Sequence, residues 1–167
     1  MLCFCTRTES DSFAMRERIV KFLATGFGVG RLPVMPGTAG SVLGIGFWWA
    51  LTQLHNAWLA GLAFVVAVAF AIWCAGSASE AMHHPDPPSV VIDEIVAMPV
   101  AVAGVTGSWW HVAVAFALFR LFDIWKPPPV RDAQDFSGGI GIVLDDLLAA
   151  AYACAGTHAV VWAIHKM

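Results

Sequence analysis

Between Arg31 and Glu80 the chain runs for 48 residues without one Asp, Glu, Lys or Arg. Two further charge-free runs cover Ile95–Phe119 and Leu147–His165. A membrane span needs about 20 mostly apolar residues at about 1.5 Å of rise each, so every run has room for one or two spans. A soluble domain carries roughly 25% charged residues. This chain carries 13%, with 59% hydrophobic residues and a mean hydropathy of +0.72 over 167 residues. These values do not suit a water-soluble sphere of this size. The runs predict an all-α protein, a polytopic helical bundle in a membrane.

Five hydrophobic helices are expected, near 39–54, 57–76, 91–107, 109–125 and 140–164. Residues 1–18 read as a polar, loosely ordered tail, and 19–167 as a single membrane domain. A short amphipathic helix at Ile19–Phe27 would lie at headgroup level. Gly26, Gly28, Gly30, Pro33, Pro36, Gly37 and Gly40 mark a loop before the first long helix. No cleavable signal is expected, because Glu9, Asp11 and Glu17 stand among the early arginines with no apolar core. Cys3, Cys5, Cys74 and Cys154 lack the paired spacing of a zinc site and read as reduced thiols.

Lys and Arg set the orientation. Arg7, Arg16, Arg18, Lys21 and Arg31 precede the first helix, and Lys126 and Arg131 follow the fourth. The expected turns near His55 and Gly107 carry neither. A cytoplasmic N-terminus satisfies this pattern, although the cytoplasmic loop 77–89 also lacks Lys and Arg. Trp58, Trp109, Trp110 and Trp162 then fall at outer helix ends, and Trp73 and Trp125 at inner ends. No basic patch suggests a nucleic acid partner, and no obligate protein partner is called for.

On that map the remaining charges gather at one face. Asp93 and Glu94 open the third helix, Arg120, Asp123 and Lys126 close the fourth, and Asp145 and Asp146 lie about one turn into the fifth. Charges in spans cost about 2.5–3.5 kcal/mol each on insertion scales, which makes them functional candidates. Two like charges 4 Å apart repel by about 4 kcal/mol at an effective dielectric near 20, so five gathered carboxylates must hold protons or cations. Oxygen ligands without inward His or Cys favour Mg²⁺ over zinc. The plainer reading, acids capping helix N-termini, fits Asp93 or Asp145 singly but not two adjacent pairs with Asp123 at a C-terminus.

Arg120, Asp123 and Lys126 are spaced i, i+3, i+6 on one helix side. They suit a phosphate, and equally a buried Arg–Asp pair beside a snorkelling lysine. The segment Pro36–Ser41 (PGTAGS) leads into a helix, where Gly37 N–H and the Thr38 and Ser41 hydroxyls would bind an anion or serve as ordinary caps. Gly40 and Gly44 read as a helix-packing step. His83 and His84 stand in a Pro-rich loop without convergent ligands, and His55, His111, His158 and His165 are expected at the far side or buried.

Four stretches together, ATGFGVGRLPVMPGTAGS (24–41), IDEIVAM (92–98), FRLFDIWKPPPVR (119–131) and GGIGIVLDDLLAA (138–150), resemble the phosphatidylglycerophosphatase A family over about residues 19–155. Ile92 stands where that family usually has an aromatic. The resemblance implies Mg²⁺-dependent hydrolysis of phosphatidylglycerophosphate to phosphatidylglycerol and phosphate, in the bacterial inner membrane. Metal ligands are then expected among Asp93, Glu94, Asp123, Asp145 and Asp146, with Glu94 and Asp146 central. Gly37, Thr38, Ser41, Arg120 and Lys126 are the expected phosphate contacts, and Asp123, Asp146, Arg120 and Lys126 the catalytic set. Attack by water with an aspartate as base, or through an aspartyl-phosphate, both fit this set. A carboxylate-lined cation transporter and a non-catalytic assembly subunit are the competing classes. The first requires polar residues along a path to the outer side, where this chain is apolar.

Overall fold

The computed structural model describes the backbone of residues 5–105 and 108–166, with side chains from Ala14 onward. Cys3, Gly107 and the side chains of Cys5, Arg7, Glu9 and Asp11 lie outside that description. The described residues form helices α1 (Cys5–Ala24), α2 (Pro36–Thr52), α3 (Ala57–Met82), α4 (Ile92–Ala101), α5 (Trp109–Trp125), α6 (Val130–Ala133) and α7 (Gly139–Lys166), with a 3₁₀ turn at Val29–Arg31. The all-α expectation holds among these residues. The five expected helices correspond to α2, α3, α4, α5 and α7, and the described helices depart from the expectation in three places.

First, the polar N-terminal stretch is helical from Cys5, so α1 is longer than the expected amphipathic piece. Second, α3 continues six residues past 76, through Ser77, Ser79 and Glu80, and stops where His83 turns left-handed at φ 51°. Hydropathy falls over those polar residues, but the backbone hydrogen bonding does not. Third, α4 has 10 residues and ends at Ala101, well short of 107. Its apolar character continues through Val102 and Ala103, so composition conceals the stop, and Gly104 at φ 69° turns the chain away.

Among the described residues two helices, α3 and α7, are long and apolar enough to cross a membrane. At 1.5 Å per residue they reach about 39 and 42 Å, whereas α4 reaches only about 15 Å. A soluble protein can bury such helices in its core, but only 17% of the apolar window of α3 and 22% of that of α7 is buried. On α3 the large side chains Trp58, Leu62, Val65, Val66, Phe70 and Trp73 are all exposed. A continuous apolar stripe of that kind belongs against lipid or a partner rather than water. The opposite side of α3 is built from small buried residues, Ala71, Cys74, Ala75 and Ala78.

Small residues also let the helix backbones meet. A Cβ on Gly139 of α7 would collide with the Ile72 carbonyl of α3. Gly40 and Gly44 seat α2 on α4, where added Cβ atoms would come within 2.7 Å of Val91 and Met98. This is the packing expected of small residues spaced four apart. The start of α4 is tied back to α1 by the Val91 N–H, which donates to the Ala24 carbonyl at 3.0 Å. Cys74 and Cys154 are free thiols.

Candidate active site

The first turn of α4 with the loop before it, the first two turns of α7 and the end of α5 meet around a cavity of about 120 Å³. Asp93, Glu94, Asp123, Asp145 and Asp146 all line it, as does Lys126. The two acidic pairs are built alike. Asp93 Oδ1 accepts the Glu94 N–H at 3.0 Å, and Asp145 Oδ1 accepts the Asp146 N–H at 2.9 Å. Each first carboxylate is thereby oriented by the backbone of its neighbour.

The acids divide by what they touch. One oxygen or more from each of Asp93, Glu94 and Asp146 lies within 4.8 Å of the others, a spacing that a single cation can bridge. Glu94 Oε2 and Asp146 Oδ2 are buried with no hydrogen-bond partner among the described residues. Buried carboxylate oxygens without partners, in a triad this close, demand a cation or protons. An all-oxygen donor set of this kind suits a hard divalent ion such as Mg²⁺.

Asp123 and Asp145 are instead engaged by bases. Arg120 Nη1 stands 2.8 Å from Asp123 Oδ2 and 3.5 Å from Glu94 Oε1. Lys126 Nζ lies 2.6 Å from Asp145 Oδ2, and Gln134 Nε2 donates to the same oxygen at 3.1 Å. Burial opposes the charge on Lys126, yet its hydrogen bond to Asp145 and the attraction of the nearby carboxylates raise its pKa above the usual lysine value. It is therefore an ammonium ion. Lys126 also closes α5 in the left-handed region, at φ 46°, a conformation strained for a side chain with a Cβ. That turn takes it off the α5 face shared by Arg120 and Asp123 and toward α7.

The expected phosphate loop sits directly beside these groups. Gly37 packs so closely that a Cβ there would strike Glu94 Oε1 and come within about 3 Å of both terminal nitrogens of Arg120. Thr38 Oγ1 and Arg120 Nε are buried without partners among the described residues, two donors available to an anion. The Ser41 hydroxyl is differently placed: it is fully buried and donates to the Gly37 carbonyl at 2.8 Å within its own helix.

Two polar residues of this region carry no signal in the sequence. Asp86 lines the cavity from the loop after α3, and Gln134 supports Asp145 from the turn after α6. Both belong to polar loops, where an extra acid or amide has no contrast with its neighbours. Spacing to a Pro-rich segment, HHPDPP, is the nearest available hint for Asp86.

The family model described as Phosphatidylglycerophosphatase A matches residues 22–161. A Bacteroides thetaiotaomicron protein, provisionally named a phosphatidylinositol-3-phosphatase, is 42% identical over 138 residues, covering 78% of this chain and 86% of its own. Proteins named phosphatidylglycerophosphatase A from Escherichia coli and Haemophilus influenzae are each 36% identical. The first match covers 76% of this chain and 74% of the relative, the second 80% and 83%. No solved structure matches this chain.

Proposed function

The chain belongs to the phosphatidylglycerophosphatase A family, a family of lipid phosphatases, and from that premise we propose that it hydrolyses phosphatidylglycerophosphate to phosphatidylglycerol and inorganic phosphate with Mg²⁺. The observation that carries this reading is a close acidic triad with two unpartnered carboxylate oxygens, beside an arginine whose Nε is also unpartnered. Asp93, Glu94 and Asp146 would hold the ion. When bound, it would supply positive charge to the phosphoryl oxygens.

The protein's own groups account for the rest. Arg120 and Thr38, with the first N–H groups of α2, would neutralise and orient the phosphate. Transfer of a phosphoryl group needs little more than such positioning and charge compensation. Asp123 lines the cavity with its Oδ2 paired to Arg120, and it would be the aspartate that takes a proton from attacking water. Lys126 and Gln134 fix Asp145, which in turn orients the backbone entering Asp146. Lys126, charged at the edge of the cavity, also offsets the negative charge of the substrate. A cation transporter is not favoured, because α2 carries no charged residue and α3 none before Glu80.

Purified protein should release phosphate from phosphatidylglycerophosphate, lose that activity in excess chelator, and regain it on adding Mg²⁺. Full activity in chelator with negligible residual metal would remove the metal from the mechanism.

The Lys/Arg distribution and the exposed stripe of α3 support a multi-pass protein of the bacterial inner membrane with its site on the cytoplasmic side. Asn56 caps one end of α3, and Ser137 shares a cleft with Ser79 near the other. In a background without native cysteines, Asn56→Cys should react with an impermeant thiol reagent from the periplasm and Ser137→Cys only from the cytoplasm. Periplasmic labelling at both positions would overturn the orientation.

A further inference from the structure

The acid cavity is not closed on all sides. Asp86, Ile142 and Asp145 form a wall that it shares with a larger cleft of about 370 Å³. Ser79, Gln134, Asp135 and Ser137 also line that cleft, and no lysine or arginine does so among the described residues. Asp145 is compensated by Lys126 and Gln134. Asp86 and Asp135 take part in no ion pair among the described residues, so the cleft presents two uncompensated carboxylates beside hydroxyl and amide groups.

Such a lining has a definite chemical preference. Carboxylates accept hydrogen bonds from alcohol groups and repel a second phosphate. The cleft's lining residue Gly138 adjoins Gly139, which packs on Ile72 and Gly76 at the α3–α7 contact. Trp73, Phe136 and Ile140, which neighbour that contact and the cleft in sequence, are exposed. Gly138 and Gly141 bring the start of α7 to the cleft lining.

We propose that this cleft holds the polyol of the lipid headgroup while its phosphomonoester occupies the acid cavity, and that Asp86 and Asp135 select headgroups bearing one phosphomonoester over those bearing two. The inference rests on the phosphatase reading and adds the substrate class to it. Asp135 acts here as a specificity residue, remote from the reacting atoms.

The test is competition against phosphatidylglycerophosphate hydrolysis in mixed micelles with Mg²⁺ at low ionic strength. A phosphatidylinositol monophosphate and a phosphatidylinositol bisphosphate serve as competitors with the same polyol. The monophosphate should compete about tenfold more tightly, a size suited to like charges facing each other in a half-open, screened site. Asp135→Asn should narrow that ratio, and Asp135→Lys should bring it to about unity or reverse it. A merely structural effect of either change would move both competitors together and leave the ratio intact. Equal competition in the native protein, no competition by the monophosphate, or a ratio untouched by Asp135→Lys would each overturn the inference. Absence of phosphate release from phosphatidylglycerophosphate itself would instead overturn the phosphatase reading beneath it.

Discussion

Asp146→Asn should lower the rate of phosphate release by at least about 10³-fold, because a metal's charge stabilisation is worth several kcal/mol and each ~1.4 kcal/mol is tenfold in rate. The substitution keeps the size of the side chain and removes its charge. Asp146 is 4% exposed, and its Oδ2 has no protein partner to miss it. An amide there removes one of three carboxylates whose oxygens lie within 4.8 Å of one another. Repulsion within the triad falls, so the folded protein should be no less stable than the native one, while its affinity for a divalent cation drops. Asp145→Asn provides the contrast. It breaks the 2.6 Å contact with Lys126 but leaves the triad complete, so a loss of about 10- to 100-fold is expected, typical of a group that supports a metal ligand. Phosphate release and Mg²⁺-dependent thermal stabilisation, measured side by side, separate the two. Near-normal turnover in Asp146→Asn with loss of turnover in Asp145→Asn would reverse their roles.

That the two aspartates differ at all is absent from the sequence, where they are simply adjacent. Charge in an apolar context is highly legible, which is why Asp93, Glu94, Arg120, Asp123, Lys126, Asp145 and Asp146 stand out in the linear chain. Their partners are much less so. A regular helix places Lys126 on the same side as Arg120 and Asp123. The left-handed turn at Lys126 instead pairs it with Asp145, a contact set by one φ angle that residue type does not announce. Ser41 shows the same limit. Its hydroxyl reads equally well as a phosphate ligand or a helix bond, and the backbone geometry of α2 directs it to Gly37. The helix ends missed from sequence are likewise places where hydropathy and hydrogen bonding part company. At α4 the apolar run outlasts the helix, and at α3 the helix outlasts the apolar run. Asp86, Gln134 and Asp135 were hidden for the opposite reason to the buried acids, since polar residues in polar loops carry no contrast.

Arg120→Lys should reduce kcat by about 10²- to 10³-fold, the loss seen when one preorganised donor to a transition state is removed. A conservative exchange is expected to be this costly because of what the guanidinium does at once. Its Nη1 serves Asp123 at 2.8 Å and Glu94 at 3.5 Å, while Nε remains buried and without a partner. Gly37 closes the other side so tightly that even a methyl group would crowd the terminal nitrogens. A fixed planar fork can hold two carboxylates and still direct a third donor at a phosphate, whereas a lysine ammonium offers one point charge on a flexible stem. The metal triad is left intact by the change, so Mg²⁺-dependent thermal stabilisation should survive in Arg120→Lys, unlike Asp146→Asn. Arg120→Ala should be slower still, and added guanidinium should restore part of its rate by occupying the vacated position. Wild-type kcat in Arg120→Lys would reduce the Arg120–Asp123 pair to a structural ion pair. Failure of guanidinium to rescue a folded, Mg²⁺-binding Arg120→Ala protein would point the same way, and the anion contacts would then fall to Thr38, Lys126 and the α2 backbone.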